Sequence, residues 1–388
     1  MANKYIYMDN NATTQIDDEV ASFMWQNISL YGNASSMHGM GRDSDAGIEW
    51  ARAEVARLIS GDARGVYFTS GATESNNTVF NTFREEIDKK GERKRIVTTT
   101  IEHPAIIEMS KYLIKKGYTV EFAPVDSTGM VKVDELEKML GPDVALVSVM
   151  LGNNETGTIQ PVKEIATLAH KCGAYMHTDA TQAIGKIPVS VTDLGVDYLS
   201  MSGHKFYGPK GVGVLYARPG VPLVPYIKGG HQERGYRAGT YNTLGIIGLG
   251  KAAELARQNL QEEHDHLWAL RERLRKGILK SLPDTVVNGN QEHCLPGTLD
   301  VSFPAAEGES ILLYLDLEGI EVSTGSACAS GSLEPSYVLL ASGLDIELAH
   351  GSIRFSLGRY NTEEEVDHVL EVLPPIIHKI RSMSTRKA

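Results

Sequence analysis

Cysteine is scarce in this chain: three occur in 388 residues, Cys172, Cys294 and Cys328. They cannot all pair and no two form a CxxC, so neither a disulfide framework nor a thiolate metal site is indicated. Positive charge is also in deficit. Thirty-eight Lys and Arg against 49 Asp and Glu leave a net charge of -11, which argues against a nucleic-acid-binding surface while allowing a local basic patch. No apolar run is long enough to span a bilayer, and MANKYIYMDNN lacks the apolar segment of a signal peptide. Internal repeats and low-complexity segments are absent. The expectation is a cytoplasmic globular protein with neither membrane nor nucleic acid among its partners.

What is present is a β–α alternation that persists from about Val66 to Tyr216, with polar clusters at the strand exits. An open, mostly parallel α/β sheet is its natural solution, with ligands outside the strand ends. The stretch from His177 to Lys205 is the most informative. It opens with HTDATQ and closes with SGHK, each ending a short apolar run that reads as a buried strand. Asp179 and Lys205 then sit one strand apart at the edge of the sheet, a separation that suits a flat, two-ended cofactor. Pyridoxal phosphate is such a molecule: its aldehyde takes a lysine amine, and its ring nitrogen needs a carboxylate partner. Gln182 is placed to reach the ring oxygen, and Ser202 and His204 to donate to the phosphate.

Other exits carry weaker signals. VYFTSGATESNN (66–77) runs from a strand into a helix start, where free N–H groups and the Thr73 hydroxyl form either an anion cradle or a plain cap. His103, held out of helical geometry by Pro104, is a candidate to stack on the cofactor and move protons, or a histidine merely satisfied by neighbours. VALVSVM (144–150) reads as a central strand delivering LGNNETG, where Asn154 is either a candidate contact to cofactor oxygen and substrate carboxylate or part of a plain Asn-rich turn. GGHQERGYRAGTYN (229–242) is too polar for the core and is either an anion-binding or a solvated loop.

Beyond a long helical stretch from Leu244 to Leu282 the pattern turns α+β, with strands at 298–303 and 352–357 and a terminal helix from about Thr362. Between the late strands lies STGSACASGSLEPS (323–336), too poor in apolar residues to pack firmly, so Cys328 is a candidate nucleophile on a mobile loop. Arg354 offers a bidentate grip on a carboxylate. The expected division is a large cofactor-binding domain over 16–262 and a small domain from 1–15 and 263–388.

Taken in order, DNNATT, SGATES, EHPA, NNETG, HTDATQ, SGHK, RAGT, STGSACASGSLEPS and IRFSLGR make the chain resemble the cysteine desulfurases of the class V aminotransferase superfamily. The cysteine loop is similar to the long-loop NifS/IscS type, and GGHQERGYRAGT to its nitrogen-fixation branch. Ala34 departs from the family's usual proline, away from the chemistry. The resemblance implies a pyridoxal-phosphate transferase of fold type I, with a mostly parallel seven-stranded sheet and a smaller α+β domain. It implies that Lys205 anchors the cofactor, Asp179 pairs the ring nitrogen and His103 stacks on the ring. Ala72, Thr73, Ser202 and His204 would hold the phosphate, joined by Thr240 from the second subunit of a homodimer. Asn154 and Gln182 would contact the ring oxygen side, Arg354 the substrate carboxylate, with Asn154 also at the substrate. L-Cysteine would become L-alanine, its sulfur held on Cys328 as a persulfide and passed to an iron–sulfur scaffold of the NifU/IscU type. Cys328 is also a candidate iron–sulfur cluster ligand. A selenocysteine lyase, or another pyridoxal-phosphate lyase or aminotransferase, is the alternative.

Overall fold

The computed structural model describes residues 5–91, 93–324 and 334–383. In chain order, β1 (Ile6–Tyr7), α1 (Asp18–Gln26) and α2 (Gly39–Leu58) lead into β2 (Val66–Thr69), α3 (Ala72–Lys90), β3 (Arg95–Thr99), α4 (Pro104–Lys115) and β4 (Thr119–Ala123). The alternation continues with α5 (Val133–Met139), β5 (Val144–Ser148), α6 (Val162–Lys171), β6 (Tyr175–Asp179), the single turn α7 (Val191–Leu194), β7 (Tyr198–Ser202) and β8 (Gly213–Ala217). A 39-residue helix, α8 (Thr243–Ser281), follows. Then come β9 (Val286–Asn288), β10 (Thr298–Ser302), α9 (Gly308–Leu317), β11 (Ile320–Glu321), the short α10 (Tyr337–Ala341) and α11 (Ile346–His350), β12 (Ser352–Ser356) and α12 (Glu363–Met383).

The main sheet has seven strands in the order β2-β8-β7-β6-β5-β3-β4. β8 is antiparallel to both its neighbours and every other pairing is parallel. β5, β7 and β8 are buried along their whole length, as parallel α/β sheets covered on both faces require. On one face lie Val79, Phe80 and Phe83 of α3 with Ile106 and Leu113 of α4. On the other lie Ile48 and Val55 of α2, Ile165 and Ala169 of α6, and Ile246 and Leu249 of α8. Each fully buried Leu, Ile or Phe contributes about 1.5–3 kcal/mol, so the two layers hold the strand ends rigidly.

A second core gathers Met8, the later turns of α8 (Leu267, Leu274, Ile278), Leu299 and Val301 of β10, Ile353 and Phe355 of β12, and Val369 and Leu373 of α12. Its three-stranded antiparallel sheet runs β12-β10-β9, and β1 pairs in parallel with β11. The two cores meet along α8, whose residues to Ala256 belong to the first and from Leu267 to the second. Among the described residues no helix is long and apolar enough to cross a membrane.

Two features depart from the expectations. α4 begins at Pro104, so His103 keeps the non-helical backbone expected of it but also caps a helix that the reading of a strand exit left out. The 229–242 loop is also not simply solvated. Glu233 is 2% exposed, because Arg52 meets it with two 2.8 Å hydrogen bonds that neutralise its charge. Arg234 lies over the Tyr67 ring and Arg237 grips Glu74, so both arginines fasten the loop.

Candidate functional site

A cleft of about 640 Å³ opens at the C-terminal ends of β2, β3, β5, β6 and β7. β3 connects towards one edge of the sheet and β5 towards the other, so the cleft lies at the switch point where such sheets bind ligands. Ala72, Thr73, His103, Asn154, Asp179, Gln182, Ser202, His204, Lys205 and Arg354 all line it. Thr240 does not; it is exposed on its loop. Cys328 lies outside the described residues.

The phosphate end is built by β2 and α3. Gly71 caps α3 without a side-chain hydrogen bond, so the first N–H groups of a 19-residue helix are left to an anion. Glu74 Oε2 accepts from Ser70 N at 2.8 Å and fixes the turn. Gly213 lets β8 pass close beneath, since a Cβ there would lie 2.6 Å from Gly71 Cα.

Asp179 ends β6 and is 5% exposed. Its carboxylate accepts from Asn76 Nδ2 at 2.7 Å and from Thr181 N at 3.0 Å, which fixes its orientation. Two residues back, the buried His177 bridges Ser148 Oγ on β5 (2.8 Å) and Ser200 Oγ on β7 (3.0 Å). Burial pushes that imidazole's pKa down, so it is a neutral strut. Lys205 follows β7 on a tight turn, and its Nζ donates to the carbonyls of Asn11 and of Ala12, the latter at 2.8 Å.

His103 Nδ1 accepts from Ala105 N at 3.1 Å, which leaves Nε2 as the position for the ring proton. Burial lowers its pKa, opposed by Asp179 and aided by Lys205, so the ring is neutral and can stack on a flat partner. His204 is pushed down to about 4 by burial, with Lys205 and Lys210 adding to the effect.

The cleft is also lined by Arg354, 1% exposed on β12. Its Nη1 donates to Asn154 O at 3.0 Å and its Nη2 to Asp9 Oδ1 at 2.7 Å. Asn154 Oδ1 is buried without a partner, an acceptor left for a bound group. Asn11 ties the ends together: its Nδ2 donates to Asn154 O at 3.1 Å, while its carbonyl accepts from Gln182 and Lys205.

Sequence reading missed Asp9, Asn11, Asn76, Glu102 and Lys186. The first four stand in motifs quoted for the resemblance or beside them, and the signal was their polarity next to apolar strands. Glu102 is fully buried; it accepts from Thr99 Oγ1 at 2.6 Å and Met150 N at 3.0 Å, and burial pushes it up to about 8. Of the two described cysteines, Cys294 is buried and its thiol is pushed up by burial, and Cys172 caps α6 with its Sγ 3.1 Å from Ala169 O. Among the described residues no group of three or more His, Cys, Asp or Glu could hold a metal ion.

A lysine and a carboxylate facing one cleft, an uncapped helix start and a buried arginine, all at the switch point of this sheet, define a pyridoxal-phosphate-dependent enzyme of fold type I. The donor set fits that cofactor, with an anion cradle for its phosphate, a carboxyl group for its ring nitrogen and an amine for its aldehyde. The aminotransferase class-V family model matches residues 6–369, and the chain belongs to that family. Cysteine desulfurase IscS of Dictyoglomus turgidum is 48% identical over 383 residues, covering 98% of this chain and 97% of that protein. Cysteine desulfurase NifS of Azotobacter vinelandii is 45% identical over 381 residues, 98% of this chain and 94% of the other. A solved NifS-like protein superposes with a TM-score of 0.91 at 44% identity, covering 97% of this chain and all of that one.

Proposed function

We propose that this chain is a cysteine desulfurase that converts L-cysteine to L-alanine, takes the sulfur on Cys328 as a persulfide and passes it to an iron–sulfur scaffold of the NifU/IscU type. The observation that carries this reading is that Asp179, Lys205 and Arg354 line one cleft, in a chain so similar to proteins named cysteine desulfurase.

Bound pyridoxal phosphate supplies an aldehyde for the substrate amine and a protonated ring that withdraws electrons from the substrate carbon. Asp179 would pair with the ring nitrogen and favour its protonated form, and the Asn76 hydrogen bond keeps Asp179 in place. His103 covers the ring and Arg354 fixes the substrate carboxylate, so the Cα–H bond is held for proton removal. Lys205 Nζ, which would anchor the cofactor before substrate binds, would be the base for that proton. The Cys328 thiolate attacks the substrate sulfur. An S–S bond forms, the electron pair of the broken C–S bond goes to Cβ, which takes a proton, and return of the proton held by Lys205 to Cα completes alanine.

Chain connectivity supports the assignment of Cys328. Ser323 exchanges backbone hydrogen bonds with Arg354 at 2.7 and 3.2 Å, and five residues of extended chain reach roughly 17 Å. Thr240, exposed and away from its own cleft, supports a homodimer in which it completes the partner's phosphate site. Trp25, Tyr31 and Met37 are 75%, 77% and 91% exposed, surface a second subunit would cover. The change of core along α8 supports the division into 16–262 and 1–15 with 263–388. A thiol that must stay reduced between turnovers suits the cytoplasm.

The test is to supply the holoenzyme with L-cysteine and a reductant, then measure sulfide and alanine. Equimolar products are expected, with none from Lys205→Ala. Pyruvate in place of alanine, or alanine without sulfide, would contradict the reading.

A further inference from the structure

Lys186 is a lysine that the proposed chemistry does not use, yet it is only 6% exposed, directly behind the cleft. The chain reverses at Gly185, whose φ is +76° and whose hypothetical Cβ would lie 2.9 Å from Phe206 Cβ. Only glycine fits that turn, and it sends Lys186 inward. Lys186 Nζ donates to Gln182 Oε1 at 2.8 Å and to Asn11 Oδ1 at 2.9 Å. Among the described residues no carboxylate lies within 4.0 Å of it, so a buried cation is held by two neutral amide oxygens.

This arrangement decides which way the Gln182 amide points. An ammonium group donates and cannot accept, so Oε1 must face Lys186 and the NH2 must face the other way. One amide hydrogen goes to Asn11 O at 2.8 Å; the other is left towards the cleft that Gln182 lines. A donor there suits an anionic ring oxygen, and the reversed amide would repel one. Asn11 is oriented by the same contact, which leaves its Nδ2 for Asn154 O and Thr298 Oγ1. Burial, with Lys205 adding to it, pulls Lys186 down to about 7; an anionic cofactor nearby favours the charged, donor-only form.

We propose that Lys186 is a positioning residue for the cofactor: by donating to Gln182 and Asn11 it locks the Gln182 amide with its NH2 towards the cofactor's ring oxygen. The inference rests on the pyridoxal-phosphate reading above. It places Lys186 behind the residues that touch the cofactor, so its effect runs through Gln182.

The test is reconstitution of stripped protein with pyridoxal phosphate, followed by visible absorbance and dialysis, to obtain the apparent cofactor Kd and the absorbance maximum. Lys186→Met is expected to weaken binding by about tenfold, the scale of one charged hydrogen bond, and to shift the maximum. Lys186→Gln, which can still donate to Oε1, is expected to restore binding to within about threefold of wild type. In a Gln182→Leu background, Lys186→Met is expected to cost no further affinity, because the two act in series. Wild-type affinity in Lys186→Met, or the same loss with and without Gln182, would overturn the proposal. If Lys186→Met does not fold, the comparison is made with Lys186→Gln and Lys186→Ala, and equal affinity in those two would overturn it. Wild-type protein that takes up no pyridoxal phosphate at all would instead remove the reading on which the proposal rests.

Discussion

Asp9 Oδ1 lies 2.7 Å from Arg354 Nη2, so the arginine proposed to grip the substrate carboxylate is already half engaged by an acid of the N-terminal segment. The pair fixes the guanidinium plane, so a substrate carboxylate bound there would meet a pre-oriented group. Arg354→Lys keeps the charge and loses the fork. Its KM for L-cysteine is expected to rise by about tenfold, with the visible absorbance of the bound cofactor unchanged. An unaltered KM would remove Arg354 from the substrate site.

Glu102 carries a pH dependence whose sign follows from its burial. Its carboxyl is pushed up to about 8, against about 4.3 in an unfolded chain. Between those values the folded state holds a proton that the unfolded state has lost, so the stability associated with Glu102 falls as pH rises through the window. Glu102→Gln keeps an oxygen for Thr99 and Met150 and removes the titration. Its thermal midpoint is expected to gain on wild type as pH is raised from about 5 to about 9. A difference constant across that range would contradict the assignment.

Tyr337 donates to the Glu102 carbonyl and Ser336 to Glu155, just after the cysteine-bearing segment. These contacts fasten one end of that segment to the β3 exit, as Ser323 fastens the other to β12. Tyr337→Phe is expected to leave cofactor uptake intact and to slow sulfur transfer to Cys328, about tenfold for a misplaced nucleophile. Single-turnover persulfide formation checks this, and an unchanged rate would show that the anchor does not matter.

Much of the fold was legible because its strands are apolar on both faces and its exits are polar. The Asp179 and Lys205 pairing in particular needed only two adjacent strands, and β6 and β7 are adjacent. α4 was legible in principle: Pro104 stands at its first turn, and Ile106, Ile107 and Leu113 recur at helical spacing. Asn11 was marked only as a polar residue after an apolar strand, and its role was not legible, since its partners Thr298, Gln182 and Lys205 lie more than 170 positions away. Lys186 was hidden for another reason: a lysine beside a glycine reads as solvated surface, and only the turn at Gly185 sends it inside. Glu233 misled in the same way until Arg52 was seen to neutralise it.

The most direct measurement is of where the substrate sulfur goes in a single turnover. Holoenzyme is mixed with one equivalent of L-cysteine, quenched, alkylated and digested, and the three cysteine-bearing peptides are weighed. One added sulfur on the Cys328 peptide, one equivalent of alanine, and neither product in Cys328→Ala are the expected results. Added sulfur on the Cys172 or Cys294 peptide, or full persulfide formation in Cys328→Ala, would contradict the account.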